Sequence, residues 1–277
     1  MKLLFAGTAS GHPVTHRRCT AIVAEQGGNA VLLDAGEGVT SALLDHDQIL
    51  ERLASIWISH THADHISGLP MLLQGMHLAG RTKPLELCVP PGRERWFRHW
   101  LDGMYMFEEK WSFPLMICAH AKSTYALAAE SGSRDSVSAA MSSNAGSPAF
   151  TIEAQPNPHL RKVEDLAESH HMRADAFSFI LHAPGGRVVI SSDITGMEDI
   201  AAASENAMLL VIDCAHVDVE EIHELAERQP RLRIICTHIP PELEPRLPGL
   251  QERSAADFGG RIQYAYDGME YTIENDI

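Results

Sequence analysis

The chain has 277 residues, enough for one large domain, and its 37 acidic against 22 basic side chains leave a formal charge of −15. That balance excludes a surface built to neutralise long nucleic acid over its whole area. No apolar run approaches the roughly 20 residues that span a bilayer as a helix.

The apolar run over 2–6 is too short for a signal segment and passes straight into the small-residue turn Gly7-Thr8-Ala9-Ser10-Gly11, so it is expected to be the first strand. His12 and His16 flank this turn and read as surface or supporting histidines. Runs over 19–24 and 30–33 predict two strands, with Gln26-Gly27-Gly28-Asn29 as a hairpin turn between them. The second run continues as Leu32-Leu33-Asp34-Ala35-Gly36-Glu37-Gly38, an apolar strand ending in a carboxylate and a glycine-rich break. Asp34 reads as the N-cap of a helix expected over 39–53 or, as the family resemblance given below implies for such an Asp-x-Gly-x-Gly segment, as the orienting partner of a ligand histidine. The five cysteines (Cys19, Cys88, Cys118, Cys214 and Cys236) are odd in number and lack any Cys-x-x-Cys spacing. They read as buried thiols of a reducing, cytoplasmic compartment rather than as a disulfide framework.

Ile56-Trp57-Ile58 reads as a short buried strand and is followed at once by Ser59-His60-Thr61-His62-Ala63-Asp64-His65. Three histidines and a carboxylate thus stand at the C-terminal end of a strand, where α/β proteins gather ligands. Neutral imidazole is a common ligand of zinc-like metals, and a carboxylate adds charge neutralisation. Alternation points His60 and His62 to one side of an extended segment. After the turn, Asp64 and His65 face a second point, which suggests two ions. A solvated histidine-rich turn explains isolated histidines, not four donors in this order.

This His-x-His-x-Asp-His order resembles the metal signature of the metallo-β-lactamase superfamily. The resemblance implies a four-layer αββα sandwich over 1–277 with a two-metal hydrolytic site. Beyond the signature, a helix is expected over 66–78, a strand over 84–89, and a helix over 93–104 whose Trp96, Phe97 and Trp100 belong to the core. The run Gly68-Leu69-Pro70-Met71-Leu72-Leu73, with Gly80-Arg81, Pro84-Leu85 and Pro90-Pro91-Gly92, is similar to the tRNA 3′-processing branch (ribonuclease Z) and its phosphodiesterase relatives. This narrower likeness covers about 1–118. Ala and Ser then dominate an insert over 119–158, within which 131–147 reads as a lid near the site or as a loop of no catalytic meaning.

The resemblance also implies a third histidine, a bridging carboxylate and a last histidine. Family members place the third histidine a turn upstream of an aromatic-small-aromatic strand, here Phe177-Ser178-Phe179. That favours His171, with His170 second and His159 third. Val188-Val189-Ile190-Ser191-Ser192-Asp193 is similar to the family's Ser-Gly-Asp motif, with Ser192 in place of the glycine, and assigns Asp193 the bridge. Ile234-Ile235-Cys236-Thr237-His238 resembles the terminal Thr-His motif and assigns His238 to the second metal. The preceding strand ends in Asp213-Cys214-Ala215-His216. Asp213 and His216 read as a proton relay or, equally, as a supporting carboxylate and the start of a helix over 217–228. A loop over 240–248, a short helix and a closing hairpin over 264–273 with its turn at Asp267-Gly268 complete the chain.

The implied set is therefore His60, His62 and His171 on one ion, and Asp64, His65 and His238 on the other, with Asp193 between them. Asp64 counts with Asp213 and His216 as catalytic. Zinc suits these ligands, as do manganese and iron. His62 stands where redox members carry Glu, which favours hydrolysis. The expected activity is a phosphodiesterase using a metal-bridging hydroxide on a cyclic nucleotide, cyclic phosphate or short oligonucleotide. The acidic composition and the single hairpin between His171 and Asp193, too short for a tRNA-gripping arm, favour a small substrate over pre-tRNA. A lactonase or thioesterase-like hydrolase, a tRNA 3′-processing endonuclease and a catalytically silent metal-stabilised binding protein are the alternatives. The resemblance also implies a homodimer.

Overall fold

The computed structural model describes residues 1–273 except 13, 47, 48, 122, 127–147 and 184. The expected lid segment 131–147 therefore lies outside the described residues. The first sheet takes β1 (Lys2–Gly7), β2 (Ala21–Gln26), β3 (Asn29–Leu33), β4 (Leu53–Trp57), β5 (Leu85–Val89) and β6 (Leu115–Ala119). The second takes β7 (Ser123–Ala126), β8 (Pro148–Asn157), β9 (Ala176–Ala183), β10 (Gly186–Ile190), β11 (Leu209–Asp213), β12 (Arg233–Thr237) and β13 (Ile262–Tyr264). The last strand, β14 (Met269–Thr272), returns to the first sheet beside β1. Each sheet has seven strands, ordered β14-β1-β2-β3-β4-β5-β6 and β13-β12-β11-β10-β9-β8-β7.

Alternation along the strands explains the layers. Leu3 and Phe5 of β1, Val31 and Leu33 of β3, and Trp57 of β4 join Phe179, Leu181, Val188, Val211 and Ile235 in one core between the sheets. The intervening residues Leu4, Ala6, Ala30, Leu32 and Ile56 face the other way. There they meet the buried stripes of α1 (Val39–Leu44), α4 (Leu69–Leu78) and α5 (Glu94–Asp102). Leu210, Ile212, Ile234 and Cys236 meet Ala203 of the single turn α7 (Ala201–Ser204), α8 (Val219–Arg228) and α9 (Leu247–Phe258) in the same way on the far side. Strands covered on both faces read as continuous apolar runs, as 30–33 and 209–212 do. The result is the expected αββα sandwich.

β3 to β6 run parallel, as do β10 to β13. Their C-terminal ends carry Asp34, the 59–65 loop, Asp193, Asp213 and His238. Arg81 braces the opposite end of this parallel region. Its guanidinium is buried and donates to the carbonyls of Lys83 and Pro84 at 2.9 Å, Leu53 at 2.7 Å, and Leu50.

Three expectations change. The helix over 39–53 breaks into α1 and the single turn α2 (Ile49–Arg52), because Leu53 is taken into the core as the first residue of β4. The helix over 66–78 begins earlier, as α3 (Ala63–Ile66), and restarts at Leu69 after Ser67-Gly68. The closing hairpin is no hairpin: Asp267-Gly268 does turn the chain, but β13 pairs in parallel with β12, whereas β14 pairs antiparallel with β1. In α5, Phe97 is buried and Trp100 packs against the core, while Trp96 lies outside and stacks on Trp100. All five cysteines are free, Cys88 and Cys118 lying with their sulfurs 3.6 Å apart. Among the described residues no helix is long and apolar enough to cross a membrane.

Candidate metal centre

Short loops at the parallel strand ends set the site. Asp34, Ser192 and His238 each follow a strand closely and adopt a left-handed backbone, with φ of 59°, 50° and 54°. Side chains seldom adopt that region outside glycine, and such strain gathers at functional sites. It also explains the glycine that the resembled motif carries at the position of Ser192. The Asp34 loop and the 59–65 loop approach so closely that a Cβ at Gly36 would collide with the Asp64 carbonyl, and one at Gly68 with the Gly36 carbonyl.

Among the described residues three groups of donor atoms form here, each within 4.8 Å: a first of His60, His62, His159 and Asp193; a second of Asp64, His65, Asp193 and His238; and a smaller one of Asp213, His216 and His238, which shares His238 with the second. In the first, His60 Nε2 lies 2.9 Å from His62 Nδ1, and His159 Nε2 lies 3.5 Å from it. Asp193 Oδ2 stands 3.7 Å from His60 Nε2 and 3.6 Å from His159 Nε2. In the second, His65 Nε2 is 3.1 Å from Asp193 Oδ1 and 3.4 Å from Asp64 Oδ2, and His238 Nε2 is 3.5 and 3.7 Å from the same two oxygens. Four donors about 2.0–2.1 Å from a zinc ion stand about 3.3 Å apart in a tetrahedron. Asp193 therefore turns one oxygen to each of the first two groups.

The donors suit cations in their hydrogen bonding as well. His65 Nε2 and Asp193 Oδ1 are buried without a hydrogen-bond partner, an arrangement that costs free energy unless something else satisfies them. The imidazoles turn their other nitrogen outward. His65 Nδ1 donates to Asp34 Oδ2 at 2.8 Å, His60 Nδ1 donates to Ser59 Oγ at 3.0 Å, and His238 Nδ1 lies 2.8 Å from Thr20 Oγ1. Asp34 is itself fixed by Ser59, whose amide donates to Oδ1 at 2.7 Å and whose hydroxyl donates to Oδ2 at 2.8 Å. This is the outer support that metal-binding histidines receive. Asp34 orients a histidine and caps no helix, since α1 is preceded by Gly38.

Electrostatics agree. Burial, with the neighbouring His65 charge, holds His60 well below the usual histidine range, and burial also lowers His62 and His159. Neutral rings are the form that binds metal. Burial opposes charge on His65 too, but Asp193 and Asp34 win and hold it well above its ordinary value. Burial works to raise Asp193 and Asp64, yet the facing histidines keep both low, Asp193 strongly so. The pocket is thus built around positive charge.

His171 does not join the cluster. It is exposed, with φ 58°, and its amide donates to the Glu168 carbonyl, closing the end of α6 (Glu164–Ser169). His170 caps the same helix. His159 lies instead with His60, His62 and Asp193 in the first group, two residues beyond the end of β8. Its amide donates to Asn157 Oδ1 at 3.0 Å, Asn157 donates to Ser178 Oγ at 3.1 Å, and Ser178 donates to the Ser191 carbonyl at 2.7 Å. The sequence carries a signal for it, a histidine just past a strand end, but that strand lies within the Ala- and Ser-rich stretch over 119–158, where little strand periodicity shows. Nothing in the sequence marked Thr20. Asp213 and His216 lie beside the first two groups: Asp213 is buried, its Oδ2 accepts from His216 Nδ1 at 2.6 Å, and the His216 ring lies 4.9 Å from that of His159 and 6.0 Å from that of His238.

Fold and site together define a metal-dependent hydrolase of the metallo-β-lactamase fold, in its ribonuclease Z and phosphodiesterase branch. Ribonuclease Z of Pseudomonas putida (strain W619) is 26% identical over 321 aligned residues, covering 100% of this chain and 97% of the relative. The short form of human tRNase Z superposes with a TM-score of 0.64 at 19% identity, over 99% of this chain and 100% of that one. The metallo-β-lactamase fold protein YhfI from Bacillus subtilis gives a TM-score of 0.67 at 17% identity, over 98% of each chain. The model of the family described as Anti-Pycsar protein Apyc1 matches residues 1–239, and the chain belongs to that family.

Proposed function

We propose that the protein is a two-metal phosphodiesterase acting on a cyclic nucleotide, a cyclic phosphate or a short oligonucleotide. The observation that carries this reading is the pair of donor groups sharing Asp193, one carboxylate oxygen facing each. His60, His62 and His159 would hold one divalent cation, and Asp64, His65 and His238 the other. Zinc is the first choice, with manganese or iron compatible. When bound, such a pair activates water near neutral pH and neutralises charge developing at the attacked phosphorus. The chain supplies the rest. Asp213 Oδ1 accepts from the amides of Ala215 at 2.7 Å and His216 at 3.3 Å, which leaves Oδ2 to orient the His216 ring. His216 Nε2 then holds a proton for the departing oxygen.

A small substrate accords with the formal charge of −15. The interval before Asp193 is longer with His159 as the third histidine than with His171. It carries a 3-10 turn (His159–Val163), α6 and the β9–β10 hairpin, and no long arm among its described residues. The full-length likeness to ribonuclease Z favours tRNA 3′-end processing as the second reading. The test is turnover of bis(p-nitrophenyl) phosphate, cyclic nucleotides, a pre-tRNA, a lactone and a thioester by zinc- or manganese-loaded protein, with Asp193→Ala as control. Cleavage of the diester and cyclic nucleotides, lost in the variant, supports the proposal. Preference for pre-tRNA selects the second reading, and turnover of the lactone or thioester alone overturns both. A homodimer belongs to the same proposal and is checked by light scattering.

A further inference from the structure

The two donor groups are supported unequally. In the Asp64–His65–Asp193–His238 group, both histidines have their outer nitrogen engaged. His65 Nδ1 meets the Asp34 carboxylate and His238 Nδ1 meets the Thr20 hydroxyl, each at 2.8 Å. Thr20 Oγ1 also lies 3.4 Å from the Ala9 carbonyl. Donating there, the hydroxyl keeps a lone pair for His238 Nδ1–H, which leaves the lone pair of Nε2 turned inward. Asp64 is backed by the loop at Gly11, where a Cβ would stand 3.3 Å from its Oδ2. This group carries two carboxylates directly and a third through His65, and both histidines are buried.

The His60–His62–His159–Asp193 group differs on each count. It has one carboxylate. Only His60 has its outer nitrogen held, by the neutral Ser59 hydroxyl. His62 points Nδ1 inward and is exposed, and among the described residues neither its Nε2 nor His159 Nδ1 makes a hydrogen bond. His159 comes from a 3-10 turn rather than from a tight strand-end loop.

Resting on the two-metal reading above, we infer that the two pockets bind metal unequally: the Asp64–His65–Asp193–His238 pocket retains its ion, the three-histidine pocket exchanges its ion, and Thr20 is a positioning residue that secures the tighter one. Loss of an outer-shell partner lowers metal affinity about 10- to 100-fold. At limiting metal the protein then accumulates as a one-ion form, and availability of the second ion sets the active fraction.

The test is calorimetric titration of metal-free protein with zinc chloride, with a competing chelator to reach tight affinities. The expected result is two unequal steps of one equivalent each. Thr20→Val weakens the first step by about 10- to 100-fold and leaves the second. Thr20→Ser restores the first step, which separates the hydroxyl's role from packing. His159→Ala removes the second step and keeps the first. Two equal sites, a Thr20→Val variant that weakens the second step or neither, or a His159→Ala variant that loses the first step would each overturn the inference. Two unequal steps in a protein inert toward phosphodiesters keep it and sink only the substrate reading; absence of zinc binding overturns both.

Discussion

If His216 delivers the proton to the leaving oxygen, removing it matters in proportion to how badly that oxygen needs one. The structure sets up the comparison. Asp213 is buried, its carboxylate is fixed by two backbone amides, and it engages His216 Nδ1 at 2.6 Å. The hydrogen bond that His216 donates to Asp213 raises the His216 pKa above its ordinary value, burial opposes this, and the Asp213 and Asp193 charges add to it. A positioned general acid contributes about 100- to 10,000-fold, or about 2.7–5.4 kcal/mol of barrier. His216→Ala should therefore lower kcat/KM by that factor on a cyclic nucleotide, whose leaving group is an alkoxide. On bis(p-nitrophenyl) phosphate, where nitrophenolate departs unaided, the loss should stay below about 10-fold. The pH profile carries the same sign. The active imidazolium persists to higher pH than a free histidine, so activity on the unactivated substrate falls as pH rises through the raised pKa. Asp213→Asn removes the main cause and moves that fall to lower pH. Equal losses on both substrates, or a limb that stays in place, would refute the assignment.

His171→Ala should leave zinc stoichiometry by elemental analysis unchanged, whereas His159→Ala should lose up to one equivalent per chain. Gly36→Ala forces the Asp64 carbonyl away and should cost more than about 3 kcal/mol in urea unfolding. Gly249→Ala, in α9 with open space around it, should gain about 0.5–1 kcal/mol in the same assay. Arg81→Met strands four carbonyls and should cost about 3 kcal/mol, read as a lower urea midpoint; a change under about 0.5 kcal/mol contradicts the bracing role. Burial holds the His120 imidazole down to about 4. Its contribution is therefore fully present above the unfolded pKa near 6.5 and is lost as pH falls toward 4, by up to about 3 kcal/mol. His120→Phe should flatten the stability profile between those limits, and an unchanged slope would show that the ring titrates elsewhere.

What could be read from the chain followed the range of the forces involved. Strands covered on both faces announce themselves as apolar runs, so 30–33 and 209–212 were plain. Where such a run ends in Asp or His, the residue falls at the edge where parallel strands deliver side chains; Asp34, His60, Asp193 and His238 all followed that rule. His159 obeys it too, but β8 adjoins an Ala- and Ser-rich run whose composition masks the strand. His171, favoured by its distance from Phe177, precedes a strand rather than ending one. The turn at Asp267-Gly268 was legible from its local chemistry. Its consequence was not, because the choice between folding back on β13 and reaching β1 depends on a partner at the other end of the sequence. Thr20 matters through one hydroxyl, and a lone threonine carries no pattern.

The crossing from β13 to β14 has a kinetic meaning. Four residues, Ala265 to Gly268, carry the chain from one sheet to the other, and Asp267 within them accepts from the Thr8 hydroxyl at 2.7 Å and the Arg18 amide at 2.6 Å. On a ribosome β1 emerges long before β14, which lies about 260 residues further along the chain, can pair with it. Until then its outer edge is open, a template for wrong partners, and such non-local pairing is slow to form. The acidic charge of the nascent chain works against self-association during that interval. The final strand thus acts as a latch, and deletion of 265–273 should be felt as aggregation during synthesis before it is felt as lost activity.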